Sequence, residues 1–327
     1  MLIAVNFHYI RASFDARNPS IHGVTPAEFE QQLKVLGKAA RFVSAEQVRN
    51  AVQGVETLPE RSILITFDDG LREQYELAWP ILRSLGIPAI FFINTGPIVD
   101  GTVLTVHRIH LLRAHLATGE LFALLQALAS ERGINLAVEM DSDKVADQYP
   151  YDDEEAGRLK YLLNFELSWA EREQLVEDCF RTTFPGQETQ ISRDLYMDVS
   201  QIQELSRWVG IGNHSHQHFP LGLVPSVTIA EQLRLSNELL KAWTGASPFA
   251  LSYPYGSQAA CSLEAGALAS EAGLEFAFTM ERAGNTEFSR PLHLARFDSN
   301  DVTGGKACRM ASAELFDRVP AARWFRP

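Results

Sequence analysis

Residues 63–70 read ILITFDDG, and this stretch decides the fold class. Its first five residues are mostly apolar and rich in β-formers, a pattern typical of a buried strand in a parallel sheet. LIAVNF (2–7) and AIFFIN (89–94) have the same character. Between these runs lie two helical patterns: TPAEFEQQLKVLGKAA (25–40), with a Thr cap before Pro, and REQYELAWPILRSLG (72–86), which ends at glycine. The alternation of strand and helix predicts an α/β fold.

The pattern changes in the middle of the chain. Long amphipathic helical segments, such as the one at 106–133, predict a helical insertion over residues 100–194. We therefore predict a single domain over residues 1–327 that carries this insertion. After it, the barrel-type alternation of strands and helices resumes. The predicted strands are 208–213, 249–253, 274–280 and 291–297, and the predicted helices are 228–245 and 262–273.

Composition narrows the function classes. Hydrophobic residues make up 46% and charged residues 21%, as in a soluble protein with a sizeable core. The formal charge of −12 argues against a nucleic-acid partner, which requires clustered Lys and Arg. We expect no integral membrane segment, because no apolar run approaches about 20 residues. The N-terminal stretch does not resemble a signal peptide, and three scattered cysteines read as reduced thiols, so we expect a cytoplasmic protein. Oligomeric state does not follow from the sequence.

Two adjacent carboxylates, Asp68 and Asp69, follow the strand predicted at 63–67. Active sites of α/β proteins form at the C-terminal ends of parallel strands. Neighbouring buried carboxylates repel each other, and a cation relieves this repulsion, so one could ligate a metal ion while the other accepts a proton. The structural alternative is a helix N-cap for the segment that begins near Leu71.

Three of the nine histidines fall within five residues, in NHSHQHF (213–219). His214 and His218 are four residues apart and would face the same way in a helical turn, which suits two imidazoles on one divalent ion. His216 would then project away, to a supporting or surface position. Packed or exposed bystander histidines are the alternative. An Asp with two His leaves coordination positions open for water.

A third motif, SYPYGS (252–257), follows the strand predicted at 249–253. Pro254 and Gly256 fix a turn at the strand end, and Tyr255 could present its backbone N–H to a substrate. An ordinary turn is the alternative.

Taken together, TFDDG, HSHQH and YPYG, in this order, resemble the polysaccharide deacetylase family, the NodB-homology group of carbohydrate esterases. The resemblance continues through VNFHYIR (5–11), YELAWPILRSLGIPAIFFINTG (75–96) and NELLKAWTGASPFALSYPYG (237–256). It covers nearly everything outside the insertion. It implies a distorted (β/α)7-type barrel, NodB-like, with one divalent ion at the C-terminal mouth.

The resemblance also implies roles for individual residues. Asp69, His214 and His218 would bind the ion and Asp68 would be the general base. Zinc is the expected ion, although Asp and His donors also accept cobalt, nickel, manganese or iron. The implied reaction removes an N-acetyl group from an amino sugar in polysaccharide, glycolipid or nucleotide-linked form. Pro254 and Tyr255 would contact this N-acylated amino-sugar substrate, and the Tyr255 N–H would stabilise the oxyanion.

The sequence departs from the family pattern at two points. Many members carry an Arg just before the PxYG turn that orients the base, and Ser252 stands there in this chain. Arg296, at the end of the last predicted strand, could supply this cation beside Asp68, or could form a surface salt bridge. The late motif whose His protonates the leaving amine has no clean copy. His293 is a candidate for that role, and His8 reads as a structural or pocket-lining residue.

Two further functions stay open at this point. A deformylase or deacylase of a lipid-linked sugar would share the fold and the metal site, and the hydrophobicity of the pocket rim would distinguish it. A sugar-binding homologue with impaired catalysis would account for the missing acid and Arg. The intact Asp68–Asp69 pair argues against the second, because a binding protein has no need of a base.

Overall fold

The computed structural model describes residues 1–13, 23–136, 140–148, 153–308, 310–311 and 314–325. These residues form two compact units. The first contains the described residues of 1–101 and 192–325, and the second contains those of 102–191. The organisation as a single domain with an insertion at 100–194 stays a prediction.

The first unit is built on a parallel sheet. Its strands in the described residues are β1 (Leu2–Phe7), β2 (Arg41–Phe42), β3 (Ser62–Phe67), β4 (Ala89–Ile93), β5 (Gly210–Asn213), β6 (Ala250–Ser252), β7 (Phe276–Phe278) and β8 (Phe297–Asp298). The order is β7-β6-β5-β4-β3-β1-β8, with β2 also paired to β3. Leu294 bridges to Phe278 at one edge while β8 pairs with β1 at the other, so the sheet curls toward closure. The predicted distorted (β/α) barrel is confirmed.

Helices occupy most of the remaining described chain. They are α1 (Pro26–Ala39), α2 (Ala45–Val52), α3 (Trp79–Leu85), α4 (Gly96–Asp100), α5 (Thr105–His115), α6 (Thr118–Arg132), α7 (Ser142–Gln148), α8 (Glu154–Tyr161), α9 (Trp169–Thr183), α10 (Glu188–Leu195), α11 (Val199–Leu205), α12 (Ser226–Thr244) and α13 (Leu263–Glu271). Two π-helical segments, Gln74–Ala78 and Leu162–Glu166, precede α3 and α9. In the part of the chain that is described, every helix is too short or too polar to pass through a bilayer.

Local signals explain where the predicted helices begin and end. Thr25 caps α1 through a capping box with Glu28, and Gly86 ends α3 in the left-handed conformation at φ 64°. The same kind of box, made by Ser44 and Gln47, starts α2, a helix that our sequence analysis missed. The S-x-x-Q pattern was the available signal.

One predicted strand, 291–297, is largely wrong. Pro291–His293 form a 3₁₀ turn, and the strand β8 covers only Phe297–Asp298. Proline supplies no N–H for a sheet ladder, so the apolar residues here pack around a turn before the chain joins β1. The strands predicted at 208–213, 249–253 and 274–280 are present but shorter.

The second unit is helical, as predicted for the insertion. The run predicted at 106–133 forms two helices, α5 and α6, because the chain is extended at Leu116 and Ala117. Both pack against α9. Hydrogen bonds from buried side chains to half-buried carboxylates link this unit internally, with Arg108 Nη2 at 2.6 Å from Glu188 Oε1 and Thr105 Oγ1 at 2.6 Å from Glu173 Oε2.

The core of the first unit holds the strand ends in register. All six residues of β3 are buried, and the Phe67 ring stacks on Phe91 at 4.5 Å between centroids. Because every pairing in the sheet is parallel, the C-terminal ends of the strands lie along one edge. The predicted site residues follow strands at this edge, except Arg296, which lies directly before β8.

Candidate active site

Three side chains at this edge form a potential metal site. Asp69 follows β3, and His214 and His218 follow β5. Asp69 Oδ1 lies 3.4 Å from His214 Nε2 and 3.5 Å from His218 Nε2. All three residues are buried, and their ligand atoms lie within 4.8 Å of one another. Zinc bound by nitrogen and oxygen at about 2.0–2.2 Å in tetrahedral geometry separates its ligands by roughly 3.5 Å. The donor set and its spacing therefore fit one such ion.

Hydrogen bonds orient the two imidazoles. His214 Nδ1 lies 2.7 Å from the carbonyl of Ser252, and donation there fixes the tautomer that leaves Nε2 facing Asp69. The His218 backbone N–H donates to Ser215 Oγ at 3.0 Å. Asn94 holds the loop by donating to the carbonyls of His214 and Ser215. These hydrogen bonds thus fix the two candidate ligand histidines in place.

The helical turn that we inferred from the spacing of His214 and His218 is wrong. Neither residue lies in a helix, and the chain between them is irregular. Ser215 and His218 have left-handed φ values of 63° and 59°, and these turns bring the rings to 4.9 Å between centroids. Asp69 (76°) and Tyr255 (63°) share this backbone region. Unfavourable backbone conformations of this kind concentrate at functional sites.

Asp68, beside the metal group, is held by a buried arginine. Arg296 Nη1 donates to Asp68 Oδ1 at 2.9 Å and Nη2 donates to Oδ2 at 2.7 Å. Asn6 Nδ2 and Ser252 Oγ each donate to Oδ2 at 3.0 Å. Arg296 Nη2 also donates to Ser252 Oγ at 2.8 Å. The cation lies where the sequence analysis proposed, with Ser252 as a bridge between it and Asp68.

This network keeps Asp68 ionised. Burial opposes ionisation, but the Arg296 guanidinium and the nearby His214 lower the pKa of Asp68 to about 2. For His214, burial works against protonation, while Asp68 and Asp69 raise its pKa above the ordinary value. Asp68 Oδ2 lies 4.0 Å from His214 Nε2, so this oxygen faces the candidate metal ligands.

Aromatic rings enclose the arginine. The guanidinium carbon of Arg296 lies 6.0 Å from the centroid of the Phe92 ring and 5.9 Å from that of Phe278. Arg296 itself is fully buried. Gly212 makes room for one of these rings, because a Cβ there would lie 2.4 Å from Phe92 Cδ1. The apolar walls and the ion pair together hold the guanidinium in one place.

The remaining predicted residues have different surroundings. The Tyr255 ring lies 4.8 Å from the His218 ring, which places the YPYG turn beside the metal group. Pro254 is buried next to it. His216 Nδ1 lies 2.8 Å from Thr95 Oγ1, and its Nε2 lies 3.8 Å from Asp100, so this histidine supports the loop.

Two histidines outside the 213–219 motif, His293 and His8, have surroundings opposite to those expected from the sequence. His293 is buried, with Nε2 at 2.9 Å from the Cys261 carbonyl and its ring against Tyr253 and Phe325, and burial lowers its pKa. These contacts lie among apolar side chains. His8 Nε2, in contrast, lies 3.9 Å from Asp68 Oδ2, and its side chain is 38% exposed. Its position directly after β1, at the same edge as Asp68, was the signal that could have identified it.

Comparison with known proteins agrees with this geometry. Residues 55–117 and 188–277 match the family model described as polysaccharide deacetylase. The two matched segments contain Asp68, Asp69, His214, His218 and Tyr255.

Individual relatives are similar over shorter stretches. The chain is 32% identical over 90 residues to the poly-β-1,6-N-acetyl-D-glucosamine N-deacetylase of Escherichia coli K12, covering 27% of this chain and 13% of that protein. It is 32% identical over 105 residues to the enzyme of the same name from Staphylococcus aureus MRSA252, covering 29% and 36%. The matches thus span about a third or less of these relatives' own length.

Solved structures resemble the chain over a larger part of its length. IcaB from Ammonifex degensii has a TM-score of 0.55 and 19% identity, covering 90% of each chain. The deacetylase PplD from Streptococcus pyogenes, solved in complex with acetate, has a TM-score of 0.55 and 14% identity, covering 91% of this chain and 90% of that one. At such identities these likenesses establish the fold.

Proposed function

We propose that the chain is a member of the polysaccharide deacetylase family, whose model matches residues 55–117 and 188–277, and that it is a metal-dependent hydrolase that removes the N-acetyl group from an amino sugar. The observation that carries the proposal is the arrangement of Asp68 beside Asp69, His214 and His218. It combines a metal-binding group with a carboxylate kept ionised by Arg296. The names of the relatives support an N-acetylglucosamine polymer as the substrate class.

We propose zinc as the ion that the metal group holds. Two imidazole nitrogens and one carboxylate oxygen are a donor set that zinc accepts, and three protein ligands leave a position open for water or substrate. When bound, such an ion polarises a carbonyl oxygen and lowers the pKa of a coordinated water. Asp69, His214 and His218 would hold it.

Asp68 acts as the general base. Its Oδ2 faces His214, on the side of the metal group, and can accept a proton from the attacking water. Arg296, Asn6 and Ser252 hold the carboxylate in this orientation and prevent it from turning toward Asp69. The base is therefore positioned before substrate binds.

Two further groups complete the reaction. The backbone N–H of Tyr255, in the turn beside His218, stabilises the negative charge that develops on the acetamide oxygen. His8 donates a proton to the sugar nitrogen as the C–N bond breaks, since it lies next to Asp68 and is open to solvent. Acetate and a free amine are the products.

One observation favours a second candidate, the deacylase of a lipid-linked sugar. Three apolar side chains that come soon after the site loops along the chain are exposed: Leu223 (59%), Val227 (74%) and Leu263 (55%). The starts of α12 and α13, which carry two of them, are joined by the hydrogen bond from Ser226 to Glu264. These residues follow the loops that bear His218 and Tyr255, so a lipid next to the sugar could contact them.

Release of acetate and formate decides between these candidates. The substrates would be N-acetyl- and N-formylglucosamine oligomers and lipid-linked N-acyl amino sugars. Wild type, Asp68→Asn and chelator-treated protein would be compared on each. We expect wild type to release acetate from the N-acetylglucosamine oligomers. Asp68→Asn and the chelator-treated protein should release none. Asp68→Asn with wild-type activity would exclude the mechanism, and release confined to the lipid-linked substrate would favour the second candidate.

The cytoplasmic location expected from the sequence stays a prediction. If it holds, an amino-sugar precursor made inside the cell is the substrate form to test first. Fractionation of cells that express the tagged chain would check it.

A further inference from the structure

Gln74 joins the two strand ends that carry His8 and Asp68. Its side chain is fully buried. The amide Nε2 donates one hydrogen bond to the His8 carbonyl at 2.9 Å and another to the Asp68 carbonyl at 2.6 Å. A primary amide has two N–H groups, so Gln74 uses both of them on these two carbonyls.

The two carbonyls need this partner because the sheet ladder ends here. β1 and β3 pair in register as far as Phe7 and Phe67, and the last ladder bond runs from the Asp68 N–H to the Phe7 carbonyl at 3.1 Å. Beyond it the chains separate, since Asp69 has a left-handed backbone. Gln74 continues the connection between the strands by one more residue on each side.

A π-helical turn provides the position of this amide. The segment Gln74–Ala78 is π-helical and begins at Gln74, and the Trp79 N–H donates to the Gln74 carbonyl. π-Turns inside helices occur frequently at functional sites, where they change the direction of a side chain. Here the wider turn begins at the residue whose side chain reaches back to Asp68.

We propose that Gln74 is a positioning residue for the reaction, which sets the distance between the proton donor His8 and the base Asp68. This inference rests on the proposed function. His8 Nε2 and Asp68 Oδ2 are 3.9 Å apart, and the backbones of the two residues are joined by one amide. Small displacements of catalytic groups lower the rate strongly, while substrate affinity depends on other contacts.

Gln32 provides a matched control. It is also a buried glutamine, and its Nε2 donates to two backbone carbonyls, those of Ser299 at 2.7 Å and Thr303 at 3.2 Å. It differs from Gln74 in what it holds, because neither carbonyl belongs to a proposed catalytic residue. Methionine has nearly the same length as glutamine but no N–H. Gln74→Met and Gln32→Met therefore each remove two hydrogen bonds from a side-chain amide to backbone carbonyls.

The kinetic test compares the two variants on an N-acetylglucosamine oligomer. We expect Gln74→Met to lower kcat roughly 10- to 100-fold with KM and metal affinity changed less than about 3-fold. Gln32→Met should lower Tm by about as much as Gln74→Met does. Its kcat should stay within about 3-fold of the wild-type value. In a His8→Gln background, Gln74→Met should lower kcat by much less than in wild type, because the pair is then already broken. Equal kcat losses in both Met variants, or additive losses with His8→Gln, would overturn the proposal.

A second measurement separates this inference from the proposed function. Hydrogen–deuterium exchange of the folded protein should show faster exchange at residues 7–10 and 67–71 in Gln74→Met than in Gln32→Met. If wild type releases neither acetate nor formate, the proposed function fails, and the exchange result still decides whether Gln74 holds the two strand ends. Unchanged exchange at both segments would refute the inference even in an active enzyme.

Discussion

Arg296 and Asp68 are 228 residues apart in the chain and form a buried two-point ion pair, with Nη1 at 2.9 Å from Oδ1 and Nη2 at 2.7 Å from Oδ2. Such a fork matches a carboxylate in both distance and direction. It keeps the base charged and fixes its plane. Replacing the cation by a residue without this fork is therefore a direct test of its role.

We expect Arg296→Lys to lower kcat roughly 10- to 100-fold, because an ammonium cannot hold both carboxylate oxygens in one plane. Arg296→Met should also destabilise the fold by about 3–5 kcal/mol, since it leaves the Asp68 charge buried without its partner. Steady-state kinetics and denaturant unfolding measure the two effects. Arg282→Lys is the control, because the Arg282 side chain is 56% exposed and pairs with Asp301 at 2.6 Å. A similar loss in that variant would contradict the assigned role.

The lowered pKa of Asp68 gives a pH dependence of stability. The folded value of about 2 lies below the ordinary value of 3.8, so the contribution is fully present above pH 3.8 and is lost as the pH falls through 2. The difference corresponds to about 2 kcal/mol. In metal-free protein, the stability difference between wild type and Asp68→Asn should therefore shrink by about that amount from pH 5 to pH 2. Unfolding by urea at each pH measures it, and a constant difference would contradict the prediction.

Sequence reasoning identified the fold because its signals are local. The apolar runs that became β1, β3 and β4 are long and fully buried, and the caps Thr25 and Gly86 fix helix ends within a few residues of the chain. Short strands such as β2 carry no such signal, since two residues have no period. The apolar residues at 291–297 were misread because they pack around a turn.

The site residues that stand in short sequence motifs could be predicted. Those that only the fold brings together could not be predicted in the same way. Asp68, Asp69, His214 and His218 stand in short motifs, although the histidines meet through left-handed backbone turns and not through a helix. The sequence analysis gave His8 no catalytic role, because its neighbour Asp68 is 60 positions away along the chain and comes close only through the pairing of β1 with β3.

Metal binding should depend on His214 and His218 and not on His216. We expect His214→Ala and His218→Ala to weaken zinc binding more than about 100-fold, because each removes one of the three proposed protein ligands. His216→Ala is the matched control within the same loop, and its affinity should stay within about 5-fold, since its ring contacts Thr95 instead of Asp69. Competition with a fluorescent chelator measures the affinities. Equal losses in all three variants would show that loop integrity, and not ligation, explains the effect.

His8 should be needed for substrates with a poor leaving group and dispensable for those with a good one. A sugar amine must gain a proton as it leaves, whereas 4-nitrophenolate leaves as an anion. We therefore expect His8→Gln to lower kcat on an N-acetylglucosamine oligomer roughly 100- to 1,000-fold, and to change 4-nitrophenyl acetate hydrolysis less than about 5-fold. His293→Gln is the control, because His293 bonds to the Cys261 carbonyl, so this variant should lose stability and keep the ratio of the two activities. Equal losses of activity on both substrates in His8→Gln would mean that His8 does not act as the proton donor. If the ratio of the two activities changed only in His293→Gln, His293 would be the proton donor instead.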